Sequence, residues 1–81
     1  MGEIFQVVVP KAGVDTTEVQ VAKWLARIGD SVVKGTALAE LETEKVTFTL
    51  ESEVAGQLVK ILHQQGSVVA VGQPLCLIQG R

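Results

Sequence analysis

Few side chains in this sequence have the types and spacing that chemistry requires. Cys76 and His63 are its only cysteine and histidine, so a thiol–imidazole nucleophile is the first arrangement to weigh. Cys76 stands in Pro-Leu-Cys-Leu-Ile and reads as a small buried hydrophobe, the usual fate of a free cysteine. His63 follows an apolar run and precedes Gln64-Gln65-Gly66, which reads as a solvated turn. One cysteine and one histidine supply no zinc spacing. Neither G-x-x-x-x-G-K-[ST] nor G-x-G-x-x-G is present to cradle phosphate. Glu40, Glu42 and Glu44 alternate along one face and read as a solvated strand face. No catalytic residue and no metal ligand set emerges. What remains is Lys45, inside Glu42-Thr43-Glu44-Lys45-Val46. A lysine on a turn ordinarily serves solubility; this one is set apart by where the surrounding elements place it.

Before the lysine the apolar residues are odd-numbered (Ala37, Ala39, Leu41), and after it they are even-numbered (Val46, Phe48, Leu50). Successive strand residues point to opposite faces, so one uninterrupted strand cannot keep both sets inside. The chain must turn between Leu41 and Val46, although Glu42-Thr43-Glu44-Lys45 holds no Gly, Asn or Pro. Lys45 therefore sits at the tip of a protruding hairpin, flanked by acids.

The rest of the chain alternates in the same way. Residues 4–10, 19–26, 31–33, 37–41, 46–51, 57–62, 68–69 and 74–79 read as short strands between turns. Residues 20–28 also pass for a helical turn on propensity, but an internal repeat favours strand. At an offset of 37 residues, Lys23 falls on Lys60, Leu25 on Leu62, Gly29 on Gly66, Val32 on Val69, Gly35 on Gly72 and Leu38 on Leu75. Upstream the offset slips. Pro10 falls on Ser52, so the first half carries an insert of five residues within Lys11-Ala12-Gly13-Val14-Asp15-Thr16-Thr17. A loop lengthened in one copy only is either a recognition element or a neutral insertion. Two copies that bury their apolar faces against each other predict an all-β fold. It is a flattened β-barrel or sandwich of two four-stranded antiparallel sheets with pseudo-twofold symmetry. The Lys45 hairpin lies at one end and the termini at the other.

Length and composition set the outer bounds. The 81 residues, 47% hydrophobic and only 4% aromatic, allow one small domain with a core of Val, Leu, Ile and Ala. Seven Lys and Arg are scattered singly and the net charge is −2, which argues against nucleic acid as a partner. The apolar runs are too short to span a membrane as helices. A single cysteine fits a reducing compartment. The N-terminus lacks the order of a signal peptide and reads as a natural start or the cut edge of a longer chain.

Leu41-Glu42-Thr43-Glu44-Lys45-Val46 resembles the lipoyl-lysine turn of lipoyl domains from the acyltransferase component of 2-oxo acid dehydrogenase complexes, which commonly read Glu-Thr-Asp-Lys-Ala there. The likeness continues through Val9-Pro10, Gly13, Thr17-Glu18, Val21, Trp24-Leu25, Gly29-Asp30-Ser31-Val32, Gly35, residues 50–56, Gly66 and residues 71–75. The sequence departs from that pattern at Glu44, where Asp is usual, at Val46, where Ala is common, and at Val14, often Glu.

The resemblance implies a single lipoyl-type carrier domain over residues 1–81, the N-terminal part of a longer multidomain chain, with lipoic acid amide-linked to Lys45. It makes Glu42, Thr43, Glu44 and Val46 the recognition residues around the attachment turn; the lengthened loop of residues 11–17, set apart by the repeat, is then the candidate contact for the decarboxylase. Its implied partners are a lipoate ligase or octanoyl/lipoyl transferase, a thiamine-diphosphate-dependent 2-oxo acid decarboxylase, dihydrolipoamide dehydrogenase and the chain's own acyltransferase core. The domain itself is expected to be a monomer, without catalysis of its own, in the bacterial cytoplasm, with the mitochondrial matrix as the alternative compartment. Two other readings stay open. A biotin carrier modified at Lys45 usually has Met on both sides of its lysine, where Glu44 and Val46 stand here. An unmodified barrel module would use the same fold for interaction alone.

Overall fold

A computed structural model describes residues 2–11, 13 and 16–80. Among the described residues eight strands follow one another: β1 (Ile4–Val8), β2 (Glu18–Trp24), β3 (Ser31–Val32), β4 (Ala37–Glu42), β5 (Thr47–Glu51), β6 (Gly56–Ile61), β7 (Val68–Ala70) and β8 (Pro74–Gly80). All eight lie where the alternation places them, with boundary shifts of a few residues. Residues 20–24 are strand, as the repeat requires. They form two antiparallel four-stranded sheets, β1-β8-β6-β3 and β5-β4-β2-β7. The molecule is elongated, with extents of 39 × 20 × 19 Å.

The halves do not pack face to face as two separate sheets. Each sheet takes two strands from each half, so the copies interleave. A two- or three-residue strand such as β3 or β7 gains little alone, and pairing it with a long strand of the other half supplies the missing ladder (β3 with β6, β7 with β2). The pseudo-twofold can be followed bond by bond. Val21 opposes Leu41 and Trp24 opposes Ala39 as Leu58 opposes Ile78 and Ile61 opposes Cys76. The register slips between Val21 and Lys23 and again between Leu58 and Lys60. The Gly29 N–H donates to the Leu58 carbonyl and the Gly66 N–H to the Val21 carbonyl, both at 2.7 Å. These two glycines adopt φ of +101° and +94°, a left-handed conformation that other residues enter only at a cost.

The strand pairing corrects the repeat alignment upstream. Val9 bonds Gln73 and Gly72 through its backbone, as Ser52 bonds Thr36 and Gly35. Val9, not Pro10, is therefore the counterpart of Ser52, and the insert in the first half is one residue longer than the sequence alignment gives. Residue type does not reveal this position, because the backbone ladder counts positions without regard to type. Ser52 is buried, as its counterpart Val9 is, and its hydroxyl is satisfied by the Val54 backbone at 2.6 Å to the carbonyl and 3.3 Å from the N–H.

Between the sheets lies an aliphatic core that includes Val21, Leu38, Leu41, Leu58, Leu75 and Ile78, each fully enclosed. The expected inward set of β4 is altered. Ala37 is exposed while Leu38 and Ala39 are both buried, because the β4–β5 register slips between Ala37 and Ala39. A bulge lets two consecutive side chains face inward. β8 shows the same device at Leu75 and Cys76.

Candidate functional site

The β4–β5 hairpin closes with the Thr43 N–H donating to the Val46 carbonyl at 2.8 Å. Glu44 and Lys45 form its tip and both are exposed. The turn has no glycine because it needs none: no non-glycine residue among those described has positive φ. Thr43 provides what Gly or Asn would otherwise supply. Its Oγ1 accepts from the Lys45 N–H at 3.2 Å and the Val46 N–H at 3.1 Å, and its hydroxyl reaches the Val46 carbonyl at 3.4 Å. One half-buried side chain thus satisfies the backbone donors of Lys45 and Val46, the role of a hydroxyl-stabilised turn. The Lys45 amine projects from a backbone held on both sides.

Val46 does not join the inward set to which alternation assigns it. It stands off the strand, within the turn, and is 47% exposed. Phe48 and Leu50 keep their inward positions, opposite Leu41 and Ala39.

Beside the turn runs an open groove of about 740 Å³. Residues 42–46 form one wall, Gly13 with residues 16–20 the other, and Val68 of β7 lies at its side. The fold thereby brings the described part of the 11–17 loop to the lysine turn. Gly13 and Thr16 are joined by a backbone bond of 3.2 Å, and the Thr17 carbonyl accepts from the Val71 N–H at 2.9 Å. Lys11 is exposed and does not line the groove. Ala12, Val14 and Asp15 lie outside the described residues. Sequence reasoning missed Glu18, Val19, Gln20 and Val68 as part of this site. The signal was available for Gln20, which alternation places on the outer face between β4 and β7, but not for Val68, whose neighbour depends on pairing between the halves.

The other candidate groups lie elsewhere. Cys76 is fully buried, and burial pushes its thiol from 9.0 up to about 11, so it holds its proton and is unreactive. His63 is half-buried rather than solvated. Its carbonyl accepts from Trp24 Nε1 at 2.8 Å, which ties its turn to β2. Glu40 is half-buried, while Glu42 and Glu44 are exposed.

The family model described as "Biotin-requiring enzyme" (biotin/lipoyl) matches residues 5–78. The dihydrolipoyllysine-residue succinyltransferase component of the 2-oxoglutarate dehydrogenase complex of Staphylococcus saprophyticus is 44% identical over 73 residues, which is 90% of this chain and 17% of that protein. The dihydrolipoyllysine-residue acetyltransferase component of the pyruvate dehydrogenase complex of Mycobacterium bovis is 40% identical over 77 residues, 95% of this chain and 14% of that protein. The chain thus spans less than a fifth of these curated relatives. Among solved structures, the lipoyl domain of the 2-oxoglutarate dehydrogenase complex from Azotobacter vinelandii superposes with a TM-score of 0.73 at 25% identity, covering 94% of this chain and 98% of that one.

Proposed function

Because this chain belongs to the biotin/lipoyl-attachment family, whose domains are non-catalytic carriers, we propose that Lys45 carries lipoic acid through an amide and serves a 2-oxo acid dehydrogenase complex. The observation that carries this reading is the lysine turn itself. Lys45 is exposed at the tip of a hairpin whose backbone is fixed by Thr43.

The residues present fit that group. A modifying enzyme must enclose one lysine and pass over Lys11, Lys23, Lys34 and Lys60, which are also exposed. A turn already held in one shape lowers the ordering cost of that encounter. Thr43 holds the backbone, while Glu42, Glu44 and Val46 present the side chains a modifying enzyme would read. When bound, the lipoyl group supplies a strained ring disulfide that takes up an acyl group with its electrons and passes the acyl group on. The domain's own residues perform no bond-breaking step. They present the attachment point and, through the 16–20 wall of the groove, a surface for the decarboxylase. Tethering to the parent chain then raises the local concentration of the arm at successive active sites.

The proposed partners are a lipoate ligase or octanoyl/lipoyl transferase, a 2-oxo acid decarboxylase, dihydrolipoamide dehydrogenase and an acyltransferase core in the same polypeptide. The proposed compartment is the bacterial cytoplasm, supported by the unpaired Cys76 and the bacterial relatives. Biotin is the less supported cofactor, since methionine is absent from both flanks of the lysine.

Incubation with lipoate, ATP and a lipoate ligase, in parallel with biotin and its ligase, tests the reading by intact mass and peptide mapping. The expected result is one lipoyl adduct at Lys45 and none in Lys45→Arg, whose stability should stay within about 0.5 kcal/mol of the parent because the site is exposed. Biotin at Lys45 would replace the cofactor, and no adduct under either condition would favour the unmodified module.

A further inference from the structure

Two of the three valines that line the groove beside Lys45 are exposed. Val46 is 47% exposed and Val68 is 59% exposed. The internal repeat provides a comparison for both. Along the strand ladders Val68 corresponds to Ser31, since each opposes a glutamine at the same register, Gln20 and Gln57. Val46 corresponds to Glu3, since their carbonyls accept the equivalent bonds from Thr43 and Gly80. At the end that holds the termini both positions are polar and exposed. Only at the lysine end are both apolar.

The two valines are also joined by a continuous surface. Glu42, Gln20 and Val68 form one row across β4, β2 and β7, all exposed on the outer face. Val68 therefore stands two strand spacings, about 10 Å, from the base of the turn. An acyl arm added to the lysine's own methylenes can span that distance. Once acylated, Lys45 has no charge to hold it in water.

We infer that this groove is a resting berth for the acyl arm of Lys45, with the near methylenes against Val46 and the far part lying over Gln20 onto Val68. The inference rests on attachment at Lys45 as proposed above. The berth is open on one side, so the arm exchanges between docked and extended states. Docking covers apolar methylenes that would otherwise face water, while Glu18, Glu42 and Glu44, all exposed, line the same groove.

The test uses the domain octanoylated at Lys45, verified by intact mass and compared with the unmodified domain in methyl-resolved NMR. Nuclear Overhauser contacts from the arm methylenes to the Val68 and Val46 methyls are expected, with shifts of both. Ile4, exposed at the opposite end, should not move. Val68→Ser, which installs the counterpart residue, should lose the far contacts with the mass increment retained. A mass increment without any contact to Val68 overturns the berth and leaves attachment standing. If no ligase or transferase modifies Lys45, attachment fails. The berth is then decided with Lys45→Cys alkylated by N-octyl iodoacetamide, to which buried Cys76 should be inert, and absence of contacts there overturns it.

Discussion

Thr43 and Cys76 show how differently two polar side chains can serve this domain. Thr43 works through a hydroxyl that the tip's backbone needs, so removing it while keeping the shape should be felt locally. Thr43→Val leaves the Lys45 and Val46 N–H groups to solvent and is expected to cost about 1 kcal/mol. It should also slow modification of Lys45, mainly through KM, because the enzyme must then order the turn itself. Thr43→Ser should restore both, which urea melts and steady-state lipoylation rates would check. Cys76 works through burial. Its thiol ionises at about 11 in the fold against 9.0 without burial. Between these values the unfolded chain loses a proton that the folded one retains, so ionisation favours unfolding. Stability linked to this group is intact below pH 9 and falls as pH approaches 11, by up to about 3 kcal/mol. Urea melts of Cys76→Ala across that window should lack this component, and iodoacetamide should label Cys76 only in denaturant.

At the scale of elements, the hairpin was legible because its phase break is local: Leu41 and Phe48 face inward on either side of a stretch too short for anything but a turn. The lysine followed from it. The β4 bulge was not legible, since two neighbouring inward residues, Leu38 and Ala39, look in a sequence like a lapse of alternation. The interleaving of the halves was hidden for a related reason. β3 is two residues long, and nothing within it specifies that β6 is its neighbour. Turn glycines carried the repeat because their requirement is conformational. Gly29 and Gly66 have the same φ sign, bond to equivalent carbonyls, and would place a Cβ in open space. Gly29→Ala and Gly66→Ala should therefore each cost about 1–2 kcal/mol from backbone conformation alone, and equally. A large difference between the two in thermal melts would mean that the halves are less equivalent than their ladders.

For the molecule as a whole, the pseudo-twofold relates the lysine hairpin to the chain ends. The Gly80 N–H donates to the Glu3 carbonyl at 2.7 Å, as the Thr43 N–H donates to the Val46 carbonyl at 2.8 Å. β1 starts at this terminal pair and leads to Val9, which bonds Gln73 and Gly72. The adjoining Val71 bonds Thr17, in the wall of the lysine groove. Glu3 and Gly80 thus lie together, at the position the pseudo-twofold relates to the lysine turn at the other end of the barrel. The same geometry makes a closed chain feasible, because a link between Gly80 and Gly2 needs to do no more than the tip of the lysine turn already does. Head-to-tail cyclisation through such a short link should preserve the fold. By restricting the unfolded chain, it should raise stability by up to about 4 kcal/mol. Lipoylation of Lys45 should proceed at the linear domain's rate, since the joined ends are remote from the turn. A cyclic domain that melts lower than the linear one would show that the ends are strained when joined. A cyclic domain modified more slowly would show that the two ends of the barrel are coupled through its core.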